Sequence, residues 1–230
     1  PMAYNVWNWM LKDWPRFTYN TEALEELEFQ FSENSGTVFG VLKHVQQESK
    51  DDFLVEILSD EAIKTSEIEG EYLDRESVQS SIKKNLGLAV EKRKIPPAEC
   101  GISEMMVDLY LNYNQPLTHE QFFLWHKMIS NGRRDLTDIG RYRTHEDPMY
   151  VVSGRLDSPK VHFEAPPSAD VPEKMEKFID WFNKSAPGGK EPMTPLVRAG
   201  IAHIYFVSIH PFEDGNGRIG RGIVEKSLSQ

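Results

Sequence analysis

The chain of 230 residues is long enough for one large domain, or for a domain with a smaller appendage. Apolar residues make up 39% and charged residues 27%, which is typical of a globular protein. The formal net charge of -10 argues against nucleic acid or an anionic membrane as the main partner, because both require a basic protein surface.

Cysteine content and the chain start bear on the compartment. The single cysteine, Cys100, excludes an internal disulfide and a zinc ribbon. No run of 18 apolar residues occurs, and residues 1–15 carry tryptophans and charges where a signal peptide would be apolar. These features predict a cytoplasmic protein with no membrane-spanning segment.

The first part of the chain is predicted to be helical after an aromatic-dense segment, residues 4–17, which should pack onto a neighbouring surface. Apolar spacing predicts a helix from Thr21 that breaks at residues 34–36, and a second helix over residues 38–47. A further helix begins at Asp51 and is expected to stop at Gly70.

A basic, proline-ended loop over residues 90–97 divides the chain into a helical region, residues 1–95, and a core region, residues 96–230. Helical periods return over residues 102–113 and 118–129. Thr118 is the expected N-cap of the second of these helices, with Gln121 as its capping-box partner. His119 and His126 lie two turns apart, too far to share a metal, and are expected to be core or surface histidines.

A short β-hairpin is predicted over residues 149–163. A helix over residues 172–183 follows, and then the apolar run 196–209, which should form the central buried helix. A last helix is expected over residues 219–228. The predicted fold class is therefore mainly α, a helical bundle with one short β-hairpin.

The segment from His210 to Arg221 carries the chemistry of the sequence. Pro211 should end the buried helix, and residues 215–217, Gly-Asn-Gly, form a natural turn before the last helix. The free N–H groups and positive dipole end of that helix form an anion site. Arg218 and Arg221 lie three residues apart on the adjoining helical face.

These parts suit a nucleotide phosphate. Asp214 offers a hard oxygen ligand for Mg²⁺, and His210 can accept a proton from an attacking hydroxyl at neutral pH. Glu213 is expected to be a solvated neighbour. Each residue alone also fits a structural role, and nothing in the spacing identifies the group that is transferred.

The twelve residues resemble the Fic family signature, His-Pro-Phe-x-(Asp/Glu)-Gly-Asn-Gly-Arg-x-x-Arg, and match it at every fixed position. The resemblance implies a mainly helical protein adenylyltransferase that moves AMP from Mg-ATP to a Ser, Thr or Tyr hydroxyl of a target protein and releases pyrophosphate. It also implies these roles: a general base in His210, a Mg²⁺ ligand in Asp214, a phosphate cradle in Gly215, Asn216 and Gly217, and triphosphate contacts from Arg218 and Arg221.

Two other segments resemble family features. The hairpin, with Met149, Tyr150, Val151 and Val152 after residues 140–143, is similar to the flap that docks the target by strand addition.

The second such segment, residues 65–70, resembles the inhibitory motif (Ser/Thr)-x-x-x-Glu-(Gly/Asn). By that resemblance Glu69 would pair with Arg221 and divert it from the γ-phosphate, so that the resting enzyme inhibits itself. The alternative is that Glu69 is a solvated carboxylate at a helix end.

Several alternatives stay open at this point. The same site could remove AMP, with Glu69 orienting a water molecule, or could transfer another phosphate-containing group. The chain could also be a nucleotide-binding regulator without catalysis. Because it stops nine residues after Arg221, we expect a fragment whose adenine contacts are unnamed. The target protein is unknown, and a homodimer is an open expectation.

Overall fold

The structure is a computed structural model that describes residues 6–155 and 158–230. It is mostly helical with one small antiparallel hairpin, which confirms the predicted fold class. In these two ranges, no helix is both long and apolar enough to cross a membrane. The elements are α1 (Thr21–Leu42), α2 (Gln47–Ile68), α3 (Arg75–Asn85), α4 (Pro97–Leu111), α5 (His119–Ile129), β1 (Tyr150–Arg155), β2 (Ser158–Glu164), α6 (Val171–Lys184), α7 (Pro195–Ile209) and α8 (Asn216–Leu228).

The N-terminal helices differ from the prediction. The break expected at residues 34–36 is wrong, because α1 continues through Gly36 to Leu42. A glycine inside an exposed helix costs about 1 kcal/mol but does not end it. The helix expected from Asp51 begins instead at Gln47.

Helix α3 was not predicted. Val78 and Ile82 are its only apolar residues, and both are buried, so its periodic signal is weak. Asp74 begins the helix by accepting a hydrogen bond from the backbone N–H of Ser77.

The core is centred on α7, as predicted, although Ile204 leaves one side of that helix exposed. Phe206 of α7 stacks on Phe122 of α5 with the ring centroids 5.3 Å apart. The same buried cluster includes Val55 of α2 and Val78 of α3. The hydrophobic core therefore extends across the proposed boundary between residues 95 and 96.

The aromatic N-terminal segment packs onto the bundle, as expected. Trp14 meets Tyr205 edge to face at 5.3 Å. Trp9 donates its indole N–H to the backbone carbonyl of Glu164, at the base of the hairpin, at 2.7 Å. Tyr4 and Asn5, also part of that prediction, lie outside the described residues.

Helix α5 begins as predicted at the N-cap Thr118, whose hydroxyl accepts from the N–H of Gln121 at 3.2 Å. The prediction that the Gln121 side chain binds back to the N-cap is wrong. The Gln121 amide donates instead to the carboxylate of Asp108 at 2.6 Å, since that acceptor lies on the packed face of α4. Helices α4 and α8 also begin earlier than predicted, with Pro97 in the first turn of α4.

Glu28 joins α1 to α7. Its Oε1 accepts hydrogen bonds from the backbone N–H groups of Leu196 and Val197, both at 3.0 Å. A carboxylate here satisfies free donors of the first turn of α7 and lies at the positive end of its dipole.

We expect Glu28→Ala to lower the free energy of unfolding by about 1 kcal/mol, because the first turn of α7 loses its acceptor. Urea titration measures this change. Glu26→Ala is the matched control, since Glu26 contacts only the exposed Gln30 amide within the described chain. A loss no greater than that of the control would contradict the capping role.

Candidate active site

The loop between α7 and α8 is held by Arg143. His210 ends α7 in the left-handed region, at φ 52°, which is uncommon for a residue with a side chain. The guanidinium Nε of Arg143 donates to the His210 carbonyl at 2.8 Å, and its Nη2 donates to the carbonyl of Pro166 at 2.6 Å. The backbone N–H of Arg143 donates to Pro211 at 2.9 Å. These bonds fix the strained backbone of His210.

Asn216 closes the same loop from the other end. Its Oδ1 accepts from the backbone N–H of Phe212 at 2.9 Å, and its Nδ2 donates to the Phe212 carbonyl at 2.8 Å. Gly215 precedes it with φ 84°, and a Cβ there would overlap the Ile129 side chain. The Asn216 side chain thus stabilises the loop, which leaves its backbone N–H for the predicted phosphate cradle.

His126 supports the loop from beneath. It is fully buried, which confirms a core histidine, and its ring stacks on Phe212 with centroids 4.2 Å apart. Nε2 donates to the carbonyl of Asp214 at 3.2 Å, while Nδ1 accepts from the N–H of Gly140 at 3.0 Å. Burial lowers the pKa of His126 to about 4, so the ring is neutral at pH 7. No local sequence signal indicated this role.

His210 is also neutral. Burial lowers the pKa of its imidazole to about 4, against the opposing effect of a hydrogen bond to the backbone of Val207. A neutral imidazole can accept a proton, which is the state that a general base requires.

Arg221 of α8 is bound by the end of α2. Its Nη2 lies 2.6 Å from Oε1 of Glu69, and its Nε donates to the Thr65 hydroxyl at 2.7 Å. The predicted pairing of Glu69 with Arg221 is present, and Glu69 remains exposed to solvent at the end of α2. Oε1 of Glu69 also lies against Gly217, where a Cβ would overlap it.

Arg218 is bound in the same way by a residue that the sequence analysis missed. Its Nη1 lies 2.8 Å from Oε2 of Glu71, and its Nη2 lies 3.4 Å from Oδ2 of Asp214. Asp214 in turn receives a 2.5 Å bond from Arg133, also missed. Although burial acts to raise it, the pKa of Asp214 is lowered by the bonds from Arg133 and from the Gly215 backbone. Only folding brings these groups together.

The turn after α2 places both glutamates. Gly70 adopts φ 81°, its N–H donates to the carbonyl of Glu67, and the N–H of Glu71 donates to the carbonyl of Ser66, both at 2.9 Å. This is a Schellman motif, and it confirms Gly70 as the helix stop. Glu69 and Glu71 thereby lie two residues apart on either side of a left-handed glycine.

Glu213 corrects another expectation. It is not a solvated neighbour, because its Oε2 accepts the backbone N–H groups of Thr137 at 2.7 Å and Asp138 at 3.1 Å. The loop over residues 137–138 folds back onto the segment and supplies donors that the sequence did not show.

The strands β1 and β2 pair only with each other among the described residues. Val152 pairs with Val161, and a register irregularity falls between Val151 and Val152. The side chains of Tyr150, Val151 and Val152 are exposed, and the carbonyl of Met149 accepts from the N–H of Ala165 at 2.8 Å.

Metal donors are few. Nowhere in residues 6–155 and 158–230 do three or more His, Cys, Asp or Glu side chains form a group that could hold a metal ion. Of the two carboxylates in this loop, Glu213 accepts backbone N–H groups, and Asp214 is bound by Arg133 and Arg218.

Comparison with known proteins agrees with this geometry. Residues 116–228 match the profile of the Fic/DOC family, and residues 7–88 match a profile described as a domain of unknown function, DUF4172. The protein adenylyltransferase fic-1 of Caenorhabditis elegans is 34% identical over 90 residues, which are 39% of this chain and 15% of that relative. The chain therefore matches only a small part of that relative.

Two solved structures share the fold. The structure of a Fic family protein from Desulfovibrio desulfuricans has a TM-score of 0.59 at 26% identity, covering 93% of this chain and 59% of that one. A Fic domain containing signaling protein from Bacteroides thetaiotaomicron has a TM-score of 0.63 at 20% identity, covering 87% of this chain and 71% of that one. The loop, the helical bundle and the profile match agree, and the chain is a Fic family protein.

The buried histidine gives a pH prediction. An unfolded histidine has a pKa of about 6.5. Because folding lowers the pKa of His126, its stabilising contribution is complete above pH 6.5 and is lost as the pH falls towards 4. Between pH 7 and pH 5 this group should reduce the free energy of unfolding by about 2 kcal/mol.

Urea titrations of the wild type and His126→Gln at both pH values test this prediction. The variant is expected to lose about 2 kcal/mol less than the wild type over that interval, because its amide does not titrate. A fall of equal size in both proteins would show that His126 does not carry the effect.

Proposed function

We propose that the protein transfers AMP from Mg-ATP to a Ser, Thr or Tyr hydroxyl of a target protein, with His210 as the general base. The observation that carries this proposal is the intact signature from His210 to Arg221, which sets a neutral, partly buried imidazole just before the N-terminus of α8. The relative named as a protein adenylyltransferase supports the same activity.

The chemistry follows from the position of His210. The target hydroxyl oxygen attacks the α-phosphorus of ATP, and its proton passes to the imidazole. The bond from the α-phosphorus to the bridging oxygen breaks, and pyrophosphate leaves. A partly buried base has already lost part of its hydration, so less water has to be removed when the hydroxyl approaches.

The start of α8 would hold the phosphates. Within the described chain no side chain caps its first turn, so backbone N–H groups of Asn216 and Gly217 are left for an anion. Arg218 and Arg221 would add forked donors to the phosphate oxygens. This agrees with the phosphate cradle predicted for Gly215, Asn216 and Gly217.

Asp214 fits a Mg²⁺ ion that is bound mainly through substrate phosphates. Mg²⁺ commonly uses one or two carboxylates together with phosphate oxygens, and the lowered pKa keeps Asp214 ionised. The ion would neutralise phosphate charge when bound. Arg133 would have to share or release the carboxylate oxygen that it now contacts.

Glu69 is proposed to inhibit this activity, because its carboxylate occupies the Arg221 guanidinium and contacts Gly217. A negative charge there opposes binding of the γ-phosphate.

The composition supports a cytoplasmic setting for the protein. We also propose that residues 1–95 form a helical region and residues 96–230 form the Fic core.

Glu69→Gly should raise ATP-dependent labelling of the protein or its targets at least about tenfold, because Arg221 becomes free for the γ-phosphate. Adding His210→Ala should reduce the labelling about a hundredfold or more. ATP labelled at the α-phosphate should transfer its label, whereas γ-labelled ATP should not. Glu67→Gly is the control, since Glu67 pairs with Lys64.

Each contrary outcome is specific. Transfer of the γ-label would show another phosphate-group transfer, and labelling that persists without His210 would exclude it as the base. ATP binding without any transfer would indicate a nucleotide-binding regulator. Loss of AMP removal in Glu69→Gly, measured on a premodified target, would indicate that Glu69 serves the reverse reaction.

The hairpin is proposed to dock the target segment along β1. Val152→Asp should raise the KM for a target protein several-fold, since a charge would replace an exposed apolar contact. The target is first identified by mass spectrometry of a lysate labelled by Glu69→Gly. Phe29→Asp on α1 is the matched exposed apolar control, and an equal effect from both substitutions would argue against docking at the hairpin.

A further inference from the structure

We propose that Glu71 is a second inhibitory carboxylate, which holds Arg218 as Glu69 holds Arg221. The inference rests on the proposed nucleotide site, and it adds a separate contact to the inhibition. The inhibitory segment would then act on both arginines of α8.

The first argument is geometric. Oε2 of Glu71 lies 2.8 Å from Nη1 of Arg218, close to the 2.6 Å that separates Glu69 from Arg221. The Arg218 side chain is only 5% exposed, whereas that of Glu71 is 34% exposed. Glu71 therefore lies on the solvent side of this pair and has to move before a phosphate reaches Nη1.

The second argument is that some hydrogen-bond donors of the Arg218 guanidinium lack a good acceptor in the described part of the chain. Its Nε is buried without a hydrogen-bond partner in the described part of the chain. Its Nη2 makes only a long contact of 3.4 Å with Asp214. A buried guanidinium with donors left over is suited to an additional anionic ligand.

The third argument is electrostatic. The Schellman turn at Gly70 directs one carboxylate to each arginine, so the start of α8 is covered by two negative charges. A triphosphate entering the site has to displace both or bind beside them. Removal of Glu69 alone leaves Arg218 neutralised and one repulsive charge in place.

The Arg218 contact extends towards the proposed metal ligand. Arg218 forms ion pairs with both Glu71 and Asp214, and Asp214 forms a further ion pair with Arg133. If Arg218 were released from Glu71, its guanidinium could bind phosphate oxygens while it keeps its contact with Asp214. Removal of Glu71 is therefore expected to raise ATP affinity even when Glu69 has already been removed.

Calorimetry in a His210→Ala background tests this, because it measures Mg-ATP binding without turnover. Relative to His210→Ala/Glu69→Gly, addition of Glu71→Gln should lower the Kd for Mg-ATP about tenfold. Adenosine, which has no phosphate, should bind equally to both proteins. Addition of Glu67→Gln is the control, because Glu67 is in the same turn and pairs with Lys64 instead.

Three results would overturn the proposal: an unchanged Kd for Mg-ATP, a higher Kd for Mg-ATP, or an equal gain in affinity for adenosine. A higher Kd for Mg-ATP would show that Glu71 positions Arg218 to bind the nucleotide. Glu71→Ala provides a second variant, and thermal unfolding confirms that each protein is folded.

The transfer assay is kept separate from this binding test. A tenfold gain in Mg-ATP affinity without any AMP transfer by Glu69→Gly would refute the proposed reaction and support the role of Glu71. AMP transfer by Glu69→Gly without the gain in Mg-ATP affinity would support the proposed reaction and refute the role of Glu71.

Discussion

The C-terminal end of α2 faces the N-terminal end of α8, and the properties of the site follow from this contact. Two carboxylates, Glu69 and Glu71, lie at the negative end of a helix dipole, where isolated charges of that sign are unfavourable. They are stabilised by the positive end of α8 and by Arg221 and Arg218. The same positive end is the proposed phosphate site. The protein therefore pairs both arginines beside that site with its own carboxylates.

A second constraint is the rigidity of the loop itself. Arg143 and Asn216 satisfy its backbone groups, and His126 packs against Phe212 beneath it. Such a network tolerates the left-handed backbone of His210, which costs about 1 kcal/mol or more when unsupported. The backbone of His210 is thus held by buried contacts, whereas Arg218 and Arg221 are held by ion pairs with Glu71 and Glu69. This difference fits the proposed function, in which His210 stays in place while the two arginines exchange carboxylates for phosphates.

The N-terminal region packs against the helices that carry this loop. Glu28 of α1 binds the start of α7, and Val55 of α2 lies in the same core as α7. Because α7 carries His210 at its end, the packing that stabilises the base also sets the distance between α2 and α8. The region with Glu69 and Glu71 and the region with the His210 loop are therefore stabilised by one core.

The sequence by itself determined the fold class, the hairpin, the stop at Gly70 and the twelve-residue loop, because turn residues, helix ends and a contiguous signature are local features. It placed the break in α1 wrongly and missed α3, since the periodic signal is weak where few side chains are buried. Tertiary structure alone decided the roles of Arg143, His126, Arg133 and Glu71. Their partners lie far away in the chain, 67 residues for Arg143 and 147 for Glu71. Whether a charged residue is solvated or paired depends on which distant group the fold brings within hydrogen-bond distance, and no local pattern specifies that.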